Sequence, residues 1–230
     1  YTRAVIAGAD DLGDGYWTPS VYLREPGVIS GGSGRKFGRS VSVDGVWPVY
    51  TLAVGVPLYG KVHVVTVTAS ASIRGEGVVS GAHAIQCVGS CGSDATTTQY
   101  GASVSVTSDG DGNRVVVVGS PSDDGCGGGL AMPPVNTSDG CMHRGGVYIY
   151  EWNGSSYVGV AVYKGMAPSG RVGSSVSSRG DGSGGVVVGV GSPRDDNVAL
   201  SGKVTMYTAG GVAGGAGHML RRVGGAGAAW

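Results

Sequence analysis

The chain has 230 residues, 16 basic and 16 acidic side chains and no formal net charge, and 47 of its residues are glycine. Glycine at about a fifth of the chain, against a usual ~7%, without a strict Gly-X-Y period excludes collagen, and balanced charge leaves no basic patch for nucleic acid. No window of about 18 apolar residues exists to cross a bilayer, so no membrane span is expected in this segment.

In chain order, Ala4-Val5-Ile6-Ala7-Gly8-Ala9-Asp10 is an apolar run closing on glycine, and Ser20-Val21-Tyr22-Leu23 is a strand-like segment after it. A short phrase then opens at Phe37 (Phe37-Gly38-Arg39-Ser40-Val41) and returns as Tyr100-Gly101-Ala102-Ser103-Val104 and Val172-Gly173-Ser174-Ser175-Val176. Each copy is followed by an apolar run: Thr51 to Pro57, Val115 to Pro121 and Val188 to Pro193. Each run precedes another strand-like segment: Gly60 to Val64, Gly146 to Tyr150 and Gly202 to Tyr207. Three elements in fixed order at a long period are one supersecondary unit repeated. Short valine-rich runs bounded by Gly, Asp, Ser and Pro read as strands joined by tight turns. The nearest helical stretch, Gly217 to Val223, is too short and glycine-flanked. The expected class is all-β.

Four units follow: a partial first at 1–36, then 37–99, 100–171 and 172–230, the last with a Gly/Ala-rich end. Trp230 stands where an aromatic would open another unit, so both termini read as the edges of a fragment. The third unit has a long loop, 122–146, between its apolar run and its next strand, far longer than in the other units. Cys126 and Cys141 both lie in that loop, and a disulfide would order it by restricting its unfolded freedom. Cys87 and Cys91 would close a second, small loop, although four cysteines allow three pairings. His83 with Cys87 and Cys91, and His143 near Cys141, offer a zinc alternative, but the usual paired C-x2-C spacing is missing. Two glycosylation sequons start at Asn136 and Asn153. Disulfides and sequons together point to an extracellular or cell-surface setting.

The ordered phrases resemble the FG-GAP repeat of integrin-α-like β-propellers, over nearly the whole chain. FG is matched by Phe37-Gly38 and Tyr100-Gly101, and GAP by Gly119-Ser120-Pro121, Gly191-Ser192-Pro193 and the looser Gly55-Val56-Pro57. Val147 to Gly154 (VYIYEWNG) is similar to the family's strand ending. The resemblance implies a β-propeller of four-stranded antiparallel blades, here about four partial repeats of a larger ring or arc. Alternation of Val147 and Ile149 with Tyr148 and Tyr150 puts different side chains on opposite blade faces, both buried between neighbours. The family's calcium loop, with several acids converging before the GAP strand, survives here only at Asp109 and Asp111. In the fourth unit Asp181 alone remains, and in the second Asp44. A glycine-rich hairpin turn is the competing reading of these stretches. No cofactor other than such a calcium is expected.

Arg179-Gly180-Asp181 is an integrin-ligand tripeptide, but the preceding unit has the same Gly-Asp-Gly turn without the arginine, so the turn accounts for it. The acid pairs Asp10-Asp11, Asp123-Asp124 and Asp195-Asp196 follow the GAP strand in three units. Paired carboxylates serve glycosidases, yet recurrence at one structural position points to turn capping. There is no G-x-S-x-G or H-E-x-x-H, so no enzyme is expected. The expected function is non-catalytic binding or scaffolding through protein–protein contact or adhesion. The long loop, with Asp123, Asp124, Met132, Asn136, His143 and Arg144, is its contact surface for a protein partner or neighbouring subunit. Two alternatives stand beside it. One is a subunit of an extracellular fibre or large assembly. The other is a lectin-like module in which Tyr148, Tyr150, Trp152 and Tyr157 stack on glycans rather than pack between blades.

Overall fold

The computed structural model describes residues 36–69, 77–87, 98–109, 112–124, 131–132, 143–165, 169–194, 202–210 and 219–223. The partial first unit lies outside them except for Lys36, as do Asp111, Cys91, Cys126, Cys141 and Asn136.

The described residues form three sheets and no α-helix. The first sheet holds β1 (Val41–Val46), β2 (Val49–Val56), β3 (Lys61–Ala69) and β4 (Gly77–Gln86) in that spatial order, all antiparallel. A single 3-10 turn, Pro57–Tyr59, links β2 to β3 and ends at Gly60 in the left-handed region. The second sheet contains β5 (Ser103–Ser108), β6 (Arg114–Ser120), β7 (Ala131–Met132), β8 (Gly146–Trp152) and β9 (Tyr157–Lys164). Its order is β5-β6-β8-β9-β7, with β7 parallel to β9. The third sheet is β10 (Ser175–Gly180), β11 (Gly185–Ser192), β12 (Lys203–Gly210) and β13 (Met219–Val223), in that order and antiparallel.

The three sheets share one register. Val41 opposes Val54, Val104 opposes Val118 and Val176 opposes Val190. The glycines closing the apolar runs face equivalent valines: Gly55 with Val62, Gly119 with Val147 and Gly191 with Val204. The repetition seen in the sequence is therefore a repetition of paired positions.

The sheets stack face to face, and alternation along each strand supplies both faces. One core lies between the first and second sheets, with Ala53, Val62, Val64 and Ile85 against Tyr100, Val104, Val106, Val116, Val118 and Tyr148. A second lies between the second and third, with Val117, Val147 and Ile149 against Val172, Val186, Val188 and Val190. Val147 and Ile149 thus point into one core, while Tyr148 fills the other and Tyr150 packs against it. The opening strands β1, β5 and β10 run side by side, β5 between the other two.

Candidate functional site

The first site built by the repeats is a polar joint between consecutive sheets. Ser40 Oγ donates to Gly101 O at 2.8 Å, and Ser103 Oγ donates to Gly173 O at 2.8 Å. Two residues further on, Ser42 Oγ accepts from the backbone N–H of Val106 at 3.0 Å, and Ser105 Oγ accepts from that of Ser178 at 2.9 Å. The carbonyl arrives over a glycine because nothing else leaves room. A Cβ on Gly55 would sit 2.0 Å from Gly101 O, and one on Gly119 would sit 2.1 Å from Gly173 O. Gly101 and Gly173 in turn have φ of +88° and +82°, a conformation that favours glycine. Phrase and apolar-run glycines are thus two halves of one contact.

The second site is the base of the long insertion between β6 and β8. Both ends of the insertion are tied down. Ser122 N–H donates to Thr98 O at 3.0 Å, Gly145 N–H donates to Asp123 O at 2.9 Å, and His143 N–H donates to Asp124 Oδ1 at 3.4 Å. His143 Nδ1 also lies 3.3 Å from Ser122 O. Between them Ala131 and Met132 pair as β7 alongside Val162 and Tyr163 of β9, so the insertion extends the outer edge of the second sheet.

Asp123 is the largest departure from the sequence reading. Its carboxylate is fully buried and accepts from Lys164 Nζ at 2.5 Å and from the Tyr148 hydroxyl. Lys164 Nζ also donates to Tyr148 Oη at 2.5 Å and lies 4.7 Å from the centre of that ring. Burial lowers the Lys164 pKa, and the Asp123 carboxylate opposes that shift. Charges out of water persist only when paired and hydrogen-bonded. Asp123 therefore anchors the loop internally and is not a contact for a partner. Arg144, also expected at the contact surface, is buried at 2% exposure, and its carbonyl accepts from Val172 N–H at 3.0 Å. Asp124 and His143 are exposed as expected. Sequence reasoning passed over Lys164; the one signal was a lone cation at the end of an otherwise apolar strand.

The remaining candidates divide clearly. Asp109 Oδ1 accepts from Asn113 N–H at 2.7 Å and Oδ2 from Asn113 Nδ2 at 3.0 Å, closing the β5–β6 turn. Asp181 Oδ1 closes the β10–β11 turn in the same way, accepting from Ser183 N–H, Ser183 Oγ and Gly185 N–H. Among the described residues no three His, Cys, Asp or Glu side chains gather as a metal-binding group. Cys87 is disulfide-bonded, to a partner outside the described residues, which removes its thiolate from a zinc site with His83. His83 instead packs edge-on against Trp152 at 4.5 Å and Tyr157 at 6.1 Å, joining the first and second sheets. Tyr163 and Tyr207 meet at 4.6 Å between the second and third sheets. Asn153 is exposed, with Oδ1 accepting from Ser155 N–H, Ser155 Oγ and Ser156 N–H.

At the end of the stack where β1, β5 and β10 begin, Arg39, Gln99, Ser122, Arg171 and Ser174 line a shallow polar pocket beside the insertion's base. No helix in the described residues is long and apolar enough to cross a membrane. No protein-family model matches the chain, and no curated protein matches it in sequence.

Proposed function

We propose that the three sheets are successive blades of an FG-GAP-like β-propeller, and that the protein is a non-catalytic binding or scaffolding module of an extracellular or cell-surface setting. The observation that carries this reading is the joint made twice over, Ser40 to Gly101 and Ser103 to Gly173, at one distance and on one pair of glycines. Equal joints between equal units give a rigid array in which each unit contacts its neighbours. A rigid array presents loops, and its largest irregularity is the insertion between β6 and β8.

That insertion is the proposed contact surface for a protein partner. Its first end is fixed by the buried Asp123–Lys164 pair and its second by the Gly145 N–H bond to Asp123 O, while Asp124 and His143 face solvent. Anchored ends lower the ordering cost of binding. The cysteine in disulfide linkage, Cys87, supports an oxidising compartment. A glycan-binding reading has less support, because Trp152 and Tyr157 are engaged with His83 between sheets.

The test is to replace 125–142 by a short glycine-containing turn and compare adhesion of the immobilised chain to cells and to a glycan array. Loss of cell adhesion with an unchanged melting temperature supports the loop as contact surface. Unaltered adhesion removes it, and glycan binding that survives loop replacement favours the lectin-like reading. Expression through a secretory pathway adds a second check. A deglycosylation mass shift lost in Asn153→Gln supports the compartment, and its absence removes Asn153 as a modification site.

A further inference from the structure

The shallow pocket at the end where β1, β5 and β10 begin is lined by described residues and measures about 160 Å³. Three successive phrase turns build it. Arg39 comes from the first, Gln99 and Ala102 from the second, and Arg171 and Ser174 from the third, with Ser122 at the base of the insertion. The turns share one geometry. Arg39 N–H donates to Lys36 O at 3.1 Å, Ala102 N–H to Gln99 O at 2.9 Å, and Ser174 N–H to Arg171 O at 3.2 Å. Lys36, Gln99 and Arg171 therefore hold equivalent positions, as do Arg39, Ala102 and Ser174.

Two features set this pocket apart. Lys36, Gln99 and Arg171 take φ of +54°, +56° and +54°, a left-handed conformation that is costly for a residue with a Cβ and free for glycine. In a chain with 47 glycines these positions carry long polar side chains instead, and strain of this kind persists where a side chain is used. The second feature is charge. Arg39 and Arg171 are both exposed, and no carboxylate lines the pocket with them. The ion pairs of the described residues join His143 to Asp124 and Lys164 to Asp123, and neither involves those guanidinium groups. At the position equivalent to Arg39, the second unit has the small Ala102 and not an acid.

We propose that this pocket binds a single carboxylate, the Asp or Glu side chain of an acidic segment on the protein partner. Guanidinium forks match the two oxygens of a carboxylate. Gln99 and Ser122 bring an amide and a hydroxyl to the same space. A polyanionic glycan is the poorer match, because it calls for a long stripe of cations and this chain has no net charge. The pocket lies beside the base of the insertion, within reach of a partner held there. The proposal rests on the binding-module reading and adds the chemistry of the group recognised.

Titration of the full 230-residue chain with N-acetylglutamate α-amide, followed by NMR at the arginine Nε–H groups in dilute buffer, tests it. Saturable shifts at Arg39 and Arg171 are expected, and none from N-acetylglutamine α-amide. Arg39→Ala and Arg171→Gln install the residues that the second unit already carries at those turn positions, Ala102 and Gln99, so both variants are expected to keep the wild-type melting temperature. Each should weaken binding about three- to tenfold. Ala102→Glu places a tethered carboxylate in the pocket and should abolish binding. Absent shifts, equal shifts from the glutamine compound, or an affinity unchanged in both arginine variants would overturn the proposal. A short heparin oligosaccharide that binds the same arginines much more tightly would overturn it in favour of a glycan. The titration uses no partner, so its failure beside an adhesion that depends on the insertion would overturn the pocket alone and leave the binding-module reading in place.

Discussion

Ser103 Oγ reaches the carbonyl of Gly173 at 2.8 Å, seventy residues later in the chain, and Ser40 makes the same bond to Gly101. Each bond is made over a glycine of the serine's own sheet, so a small residue, a hydroxyl and a left-handed glycine are needed together. That triple requirement explains why the phrase and the glycine closing the apolar run recur as a set.

Gly119→Ala forces its Cβ against the Gly173 carbonyl at 2.1 Å and Ser103 Oγ at 2.2 Å. Backbone on one side cannot retreat cheaply, so a loss of about 3 kcal/mol is expected. Gly189→Ala, in the third sheet, has Ser177 O at 3.8 Å as its nearest neighbour and is expected to change stability by under about 1 kcal/mol. Urea unfolding of the two variants decides; equal losses would mean that the joint is not what excludes the side chain.

The buried Asp123–Lys164 pair should behave as a unit. Removing one partner strands the other charge, so Lys164→Met and Asp123→Leu are each expected to cost about 3–5 kcal/mol. The double variant should recover much of that loss, because two apolar groups replace two desolvated ones. A double-mutant cycle measures it, and additive losses would show that the two side chains act separately.

Lys164 also sets an alkaline signature. Burial lowers its folded pKa beneath 10.5, so the unfolded chain holds a proton there that the folded chain has released. Stability therefore gains as pH rises from the lowered value towards 10.5. Tyr100 and Tyr150 shift the other way, raised by burial, and cost stability above pH 10 in both proteins. The difference between wild type and Lys164→Met cancels the tyrosines. It should move in favour of wild type across that window, and a flat difference would contradict a lowered lysine pKa.

The strands were legible because each apolar run carries its own period and its own glycine stop. Val147 and Ile149 alternate with Tyr148 and Tyr150, and that alone assigns them to opposite cores. Asp123 was not legible, since its environment is made by Lys164, 41 residues away, once β8 and β9 have paired. Locally it looks like its recurring neighbours at turns, and its backbone does close a turn to Ser120. Arg144 misled for a related reason, because a cation in a glycine-rich loop reads as solvated, whereas here the residue is buried and its backbone is bonded to Val172, 28 residues later. Two-residue β7 has no period to detect. The joint serines were visible as a motif, but their donor role needs the neighbouring sheet.

The acidic turns give the last prediction. Asp181 is exposed, yet three donors from Ser183 and Gly185 hold its carboxyl below the usual value of 3.8. A folded pKa below the unfolded one contributes stability above 3.8, and that contribution disappears as pH falls through the folded value. Asp181→Asn should therefore flatten the acid limb of the stability curve, and an unchanged limb would mean that the turn bonds do not persist in solution. Asp109 closes the equivalent turn with both oxygens on Asn113, which leaves it poorly placed to serve a cation as well. Calcium is accordingly expected to leave the melting temperature of wild type and of Asp109→Asn alike. A calcium-dependent rise in the wild type that vanishes in the variant would instead assign this turn to the metal.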